Sequence, residues 1–229
     1  MATPEVIWFG PVNGFQVKGA TLPGVTPRFV TCTGDGSDGG PTCADRAEAW
    51  RDATGRRLPT LFKRLKINPA DVSQLTLGAF SAGGQIIKRL GLDALDRAQI
   101  HAVLLSDATY TIEWLNQKQG TTKPIEGFLK LALDYINDGR LFLATASAAP
   151  NKAYPSGAQS LLGLKTGIEQ ASGLTFDPAE DDPLWADLKP PVRAFRLKNV
   201  IFADFGMSYK HGEHATLLAP ILWPRALGG

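Results

Sequence analysis

The chain has 229 residues, of which 44% are hydrophobic and 20% are charged, and its formal net charge at pH 7 is +2. These values are typical of a soluble globular protein, and we expect a single domain over residues 1–229. The near-neutral charge argues against a nucleic-acid partner. No apolar run reaches roughly 18 residues, which argues against a membrane span.

The hydrophobic pattern predicts strands that alternate with helices. The first strand, Val6–Phe9, ends in a loop over 10–14, and the second strand is Arg28–Cys32. The further predicted elements are helices at 44–54 and 59–66, a strand at 75–80 with a helix at 83–90, a strand at 100–106, a helix at 124–139, a strand at 141–146, a helix at 156–171, a connection at 173–191, strands at 192–197 and 200–205, and a terminal helix at 214–222. This order predicts a mainly parallel sheet with helices on both faces.

The two cysteines flank a glycine-rich loop. Cys32 and Cys43 are separated by ten residues, TGDGSDGGPT. A disulfide across this loop would remove much of its freedom, and it would favour an extracytoplasmic location. Two free buried thiols are the alternative.

The segment LTLGAFSAGGQIIKRL, residues 75–90, runs from an apolar strand through Ser81 directly into a helix. A serine at so tight a turn adopts a strained backbone conformation and exposes its hydroxyl at the carboxyl end of the sheet. Only small residues fit two positions before and after it, and Ala79 and Gly83 stand there. Gly84 is expected to loosen the same turn. The pattern predicts a nucleophile elbow, with alanine in the first small position, where glycine is usual.

Two other glycine motifs compete for this turn. A phosphate-binding loop needs Lys-Ser/Thr after the glycines, but Lys88 lies a full helical turn beyond them. A dinucleotide fingerprint needs a spacing that Gly78, Gly83 and Gly84 do not have. The remaining alternative is an ordinary strand–helix junction with an incidental serine.

Two further residues complete a catalytic pattern. Asp107 follows the strand at 100–106, so it shares with Ser81 the carboxyl edge of the sheet, where active sites of open α/β sheets lie. His214 follows the last predicted strand. The chain order is therefore nucleophile, acid, base.

With these residues the chain resembles a compact α/β-hydrolase of the esterase, cutinase and lipase type. The resemblance implies an α/β-hydrolase-like three-layer sandwich and a serine esterase mechanism with Ser81, Asp107 and His214 as the triad. It implies oxyanion donors from the backbone of Ala82 and Asn13, and neither a metal nor another cofactor.

Each assignment has a competitor. His211, also in the terminal loop, competes with His214 as the base, and a metal site formed by both with Glu213 has no further ligand cluster to support it. In most α/β-hydrolases the acid stands one strand later, where this chain has no carboxylate. Pancreatic-type lipases carry it where Asp107 stands. The reserve acids and oxyanion donors are Asp204, Asp177, Val12 and the loop at 34–36.

The expected activity is hydrolysis of carboxylic esters, on small or polymeric substrates. A catalytically silent binding or structural protein, and a peptidase or acyltransferase with the same triad, are the alternatives. No large insertion interrupts the element order, so any lid is small and built mainly from residues 148–191. We therefore expect a preference for short acyl chains. Aromatic residues beyond the strand ends that could line a pocket, or simply cover the core, are Tyr110, Trp114, Tyr154 and Trp185.

Overall fold

A computed structural model describes residues 2–11, 25–32, 41–109, 125–149 and 156–228. Within these ranges one sheet contains eight strands in the spatial order β2-β1-β3-β4-β5-β8-β7-β6. The strands are β1 Thr3–Pro11, β2 Arg28–Cys32, β3 Val72–Phe80, β4 Ile100–Ser106, β5 Leu141–Ala146, β6 Asp177–Pro178, β7 Arg193–Leu197 and β8 Val200–Asp204. The helices are α1 Cys43–Glu48, α2 Leu58–Leu65, α3 Gly84–Leu90, α4 Ala94–Gln99, α5 Glu126–Asp138, α6 Gly157–Ser172, α7 His211–Glu213 and α8 Ala219–Ala226.

The strands from β2 to β8 in this spatial order are all parallel, and β7 and β6 extend the sheet antiparallel at one edge. The carboxyl ends of β3, β4, β5 and β8 therefore lie side by side. The register pairs Phe80 with Ser106 and Ser106 with Thr145. This pairing places the residues that follow β3, β4 and β5 along one edge.

Alternate residues of the strands point into two separate cores. On one face Phe9, Leu77 and Phe142 pack with the apolar sides of α1, α2, α3, α5 and α6. On the other face Trp8 and its strand neighbours pack with α8, and the rings of Trp8 and Trp223 are 4.5 Å apart. The predicted three-layer sandwich with a mainly parallel central sheet is thereby confirmed.

Most helix boundaries follow the punctuation in the sequence. Gly139 ends α5 with φ of 78°, a left-handed conformation that suits glycine. Ser156 opens α6 with a capping box completed by Gln159. The helix predicted at 44–54 is shorter than expected, because the carboxylate of Asp52 accepts hydrogen bonds from two following backbone N–H groups and forms a turn there.

The terminal helix begins three residues earlier than predicted. Lys210 is the N-cap of α7, and Lys210 N–H donates to the carboxylate of Glu213. The helix then continues as one π-helical stretch, His214–Leu218, before α8. His211 therefore occupies the first turn of this helix and His214 the next one.

The segment expected to supply a lid contributes to the core in its described part. In α6, Leu161, Leu164 and Ile168 are buried in the larger core. Trp185 is also buried: its Nε1 donates to the Ala179 carbonyl and its ring packs edge-on against Phe205. Residues 150–155 of this segment, with Tyr154, lie outside the described residues, as do Tyr110 and Trp114.

The predicted Cys32–Cys43 disulfide is confirmed, with the two Cα atoms 4.9 Å apart. It joins the end of β2 to the start of α1, and both cysteines are buried in the larger core. Among the helices of the described ranges, none has the length and apolar character needed to cross a membrane.

Candidate active site

Ser81 occupies a strained turn between β3 and α3. Its φ is +53°, a left-handed conformation that is uncommon for residues other than glycine. The preceding residue, Phe80, is extended, and a single 3-10 turn at 81–83 leads into the helix. The strained backbone that the sequence predicted at this serine is present, and strain of this kind is concentrated at functional sites.

The two glycines after Ser81 allow close packing on both sides of the turn. A Cβ atom at Gly83 would lie 2.3 Å from the Phe9 carbonyl oxygen of β1, and one at Gly84 would lie 1.9 Å from the Ala108 carbonyl oxygen. Gly84 has an ordinary helical φ of −57°. Its role is therefore to provide space for the chain beyond β4, and the expectation that it loosens the turn was wrong.

Asp107 lies directly after β4 and is fully buried. Its φ of +47° is again left-handed. Ser147 donates two hydrogen bonds to its carboxylate, from the backbone N–H to Oδ1 over 3.1 Å and from the hydroxyl to Oδ2 over 2.5 Å. Burial alone would raise the pKa of Asp107, but the hydrogen bonds from His211 and Ser147 hold it below its ordinary value of 3.8. Asp107 is therefore a carboxylate at neutral pH.

His211 is the histidine that contacts this carboxylate. Its Nδ1 lies 2.7 Å from Asp107 Oδ2, and its ring packs at a tilt against Phe80 with the centroids 4.6 Å apart. Because Phe80 immediately precedes Ser81, the imidazole lies at the same end of β3 as the serine. The side chain of His211 is 36% exposed.

His214 contacts the Thr145 hydroxyl, and His211 contacts Asp107, so the predicted pairing of His214 with Asp107 was wrong. His214 is fully buried, and its Nδ1 is 3.0 Å from the Thr145 hydroxyl oxygen. Its Nε2 has no hydrogen-bond partner among the described residues. Burial, only partly offset by the charge of Asp107, lowers the pKa of His214 to about 4.

The reserve acids are also placed away from His211. Asp204 is buried, and its carboxylate accepts hydrogen bonds from Arg193 and from the backbone N–H of Gly206. Asp177 is exposed in β6 at the far edge of the sheet. In the part of the chain that is described, Asp107 is the carboxylate that contacts the His211 imidazole.

The predicted oxyanion donors are only partly within the described residues. Ala82 follows Ser81 in the 3-10 turn. Asn13, Val12 and the loop at 34–36 lie outside the described residues. The close approach of Gly83 to Phe9 does place the end of β1 beside the Ser81 turn.

No group of three or more His, Cys, Asp and Glu side chains in the described ranges is arranged to hold a metal ion. In the alternative metal site, the Nδ1 of His211 is already bonded to Asp107 and the Nδ1 of His214 to Thr145.

The sequence offered no signal for Ser147. It directly follows a strand, as Ser81 does, but its two bonds to Asp107 depend on the pairing of β4 with β5. Only the spatial order of the strands could have identified it.

No protein-family model matches this chain, and no curated protein matches it in sequence. Among solved structures, the chain is similar to the mature form of the Bacillus licheniformis lipase BlEst2, with a TM-score of 0.44 and 12% sequence identity. The similarity covers 98% of this chain and 92% of the lipase chain. We therefore infer function from the residues of this chain.

Proposed function

We propose that this protein is a serine hydrolase that cleaves carboxylic esters, with Ser81 as nucleophile, His211 as base and Asp107 as acid. The observation that carries the proposal is the hydrogen bond between His211 and Asp107, at the edge of the sheet where Ser81 has a strained backbone. These are the three roles of a serine-hydrolase triad, which is recognised by geometry rather than by sequence position.

The hydrogen bond supports a defined protonation state. Asp107 is a carboxylate and can only accept, so the Nδ1 of His211 carries the proton and the Nε2 of the neutral ring is the nitrogen that can accept one. In the proposed reaction Nε2 removes the proton of the Ser81 hydroxyl as Oγ attacks the ester carbonyl carbon. The imidazolium then protonates the leaving alcohol, and an acyl-enzyme remains. Water, deprotonated by the same nitrogen, releases the acid and restores Ser81.

The tetrahedral intermediate requires backbone donors for its oxyanion. We assign one to the N–H of Ala82 and the second to the loop that follows β1, with Asn13 as the donor. The contact between Gly83 and Phe9 supports this choice, because β1 is the direct neighbour of β3 whereas β2 lies beyond it.

The preferred substrate is an ester with a short acyl chain, small or part of a polymer. In the segment 148–191 the described helix α6 packs on the sheet, which supports a lid that is small. Hydrolysis of p-nitrophenyl acetate and butyrate should exceed that of the palmitate, without activation at a lipid–water interface. A palmitate optimum with interfacial activation would contradict the preference and leave the triad untouched.

Labelling with a fluorophosphonate, followed by mapping of the modified residue, tests the proposal directly. We expect the label on Ser81 alone, and Ser81→Ala should lose activity by several orders of magnitude while the fold persists. Ser73→Ala, which removes an exposed serine at the other end of β3, is the matched control and should retain full activity.

The outcomes separate the alternatives. A protein that is neither labelled nor active on any ester would be a catalytically silent binding or structural protein. Dependence of turnover on an added acceptor alcohol would indicate an acyltransferase. Cleavage of amides in preference to esters would indicate a peptidase. The disulfide favours an extracytoplasmic location for the enzyme.

A further inference from the structure

Ser147, the residue directly after β5, donates hydrogen bonds to both carboxylate oxygens of Asp107. We propose that Ser147 is a positioning residue of this hydrolase, which fixes the carboxylate of Asp107 in the orientation that holds His211. The inference rests on the proposed function and deepens it.

The first argument concerns the oxygen of the Asp107 carboxylate to which each hydrogen-bond donor is bonded. The Ser147 hydroxyl and the Nδ1 of His211 both donate to Oδ2 of Asp107, over 2.5 and 2.7 Å. The backbone N–H of Ser147 donates to Oδ1. With both oxygens bonded to one residue, the carboxylate cannot rotate without breaking a hydrogen bond to a charged group. Hydrogen bonds to an ionised group are stronger than those between neutral groups.

The second argument is burial. Both Asp107 and Ser147 have no exposed surface, so water does not replace a lost donor. An unsatisfied charged oxygen at such a place is costly. The hydroxyl therefore stabilises the ionised form of Asp107 and the geometry in which that form accepts from His211.

The third argument is that Ser147 is itself held in place. Its carbonyl accepts from the N–H of Ala158 in the first turn of α6, and the N–H of Asp107 donates to Thr145 two residues before it. Gly157, the first residue of α6, packs directly on the acid: a Cβ atom there would lie 2.2 Å from Asp107 Oδ1. The start of α6 thus supports the pair formed by Ser147 and Asp107.

The proposal predicts an electrostatic effect on His211. Without the Ser147 hydroxyl, Oδ2 of Asp107 carries more negative charge toward the imidazole and favours the imidazolium. We expect Ser147→Ala to lower kcat about tenfold with little change in KM. The acid limb of the pH–rate profile should also move upward.

The primary experiment is an NMR titration of the His211 ring protons in wild type, Ser147→Ala and Ser147→Thr, where threonine keeps the hydroxyl. Ser160→Ala is the matched control, because it removes the hydroxyl of another fully buried serine, in α6. We expect a shifted titration in Ser147→Ala, and wild-type titrations in Ser147→Thr and Ser160→Ala. An unchanged titration in Ser147→Ala would overturn the proposal, even if its activity fell.

Gly157→Ala provides a second test if a Ser147 variant does not fold. Its new methyl group must displace the Asp107 carboxylate, so kcat should fall. Gly167→Ala, in the same helix but facing the flexible ends of Ile125 and Leu129, should not change it. Equal kcat values in the two glycine variants would contradict the positioning of the acid. The titration needs no substrate, so an inactive protein would refute the proposed hydrolase without deciding the role of Ser147.

Discussion

His211 and His214 are one helical turn apart and lie in opposite chemical environments. His211 is partly exposed, contacts the carboxylate of Asp107 and packs against Phe80. His214 is fully buried and contacts the neutral hydroxyl of Thr145. The first environment favours a base that can become charged during a reaction, whereas the second favours a ring that stays neutral.

The comparison shows why a histidine that is merely close to Asp107 is not thereby its hydrogen-bond partner. Both histidines lie in the helix that follows β8, and both are close enough to Asp107 for their charges to affect its pKa. Only the one in the first turn makes a direct hydrogen bond to it. The contact with an ionised partner, rather than proximity, distinguishes the two.

The largest expected effect separates the two histidines by activity. His211→Ala should lose ester hydrolysis about 10⁶-fold, comparable to Ser81→Ala, because triad members act as a unit. His214→Leu, which keeps the side-chain volume, should retain most of the activity of the folded enzyme. Steady-state kinetics on p-nitrophenyl acetate measure both.

The double variant Ser81→Ala/His211→Ala sharpens this test, since it should be little worse than either single variant. If His214→Leu were inactive while folded and His211→Ala were active, the assignment of the base made from the geometry would be reversed.

The error over the histidines had a local cause. The resemblance to α/β-hydrolases implied a base in the loop before, or in the first turn of, the terminal helix, and that helix was predicted to begin at His214. The same placement agrees with His211, because the helix begins at residue 211. The pattern missed this start because the N-cap is Lys210, which is not one of the usual capping residues.

Most of the sheet could be predicted because its strands are short apolar runs bounded by turns. The predicted β2, β4 and β5 have the bounds found in the structure. Helix α4 was missed because it has six residues and Asp96 as its buried residue, so it shows no apolar periodicity. Strand β6 is only two residues long and depends on its pairing with β7.

At the candidate site, the strained turn at Ser81 and the position of the Asp107 carboxylate were accessible to sequence reasoning because each is next to a strand in the chain. The contacts of Ser147 and Thr145 were not, because they depend on the registration of β5 against β4.

The next expected effect concerns stability and isolates His214. Its pKa is lowered from 6.5 to about 4 in the folded protein, with burial as the main cause. Below pH 6.5 His214 is therefore protonated in the unfolded chain, whereas in the folded chain it stays neutral down to about pH 4. The contribution of the neutral ring is fully present above pH 6.5, and about 3 kcal/mol of unfolding free energy should be lost between these two pH values.

Urea unfolding at pH 7, 5.5 and 4.5 measures this loss. His214→Leu should reduce the slope of unfolding free energy against pH in this window. Asp107 acts at lower pH, because its lowered pKa makes its contribution disappear below its ordinary value of 3.8. Equal slopes in wild type and His214→Leu would show that folding does not lower the pKa of His214, and the contrast between the two histidines would fail.

The smallest expected effect tests the one hydrogen bond that the His214 ring makes among the described residues. Thr145→Val removes the hydroxyl with little change in volume and leaves both ring nitrogens of His214 without a partner among the described residues. We expect it to destabilise the protein by about 1–2 kcal/mol, the cost of an unsatisfied buried polar group.

In the His214→Leu background the same substitution should cost less, because no buried nitrogen is then left unpaired. A double-mutant cycle from urea unfolding at pH 7 measures this difference as a coupling energy. Thr145 also lies 3.5 Å from the Leu105 carbonyl oxygen, a contact that is present in both backgrounds. Equal costs in the two backgrounds would therefore assign the hydroxyl to Leu105, and His214 would be buried without a hydrogen bond that stabilises it.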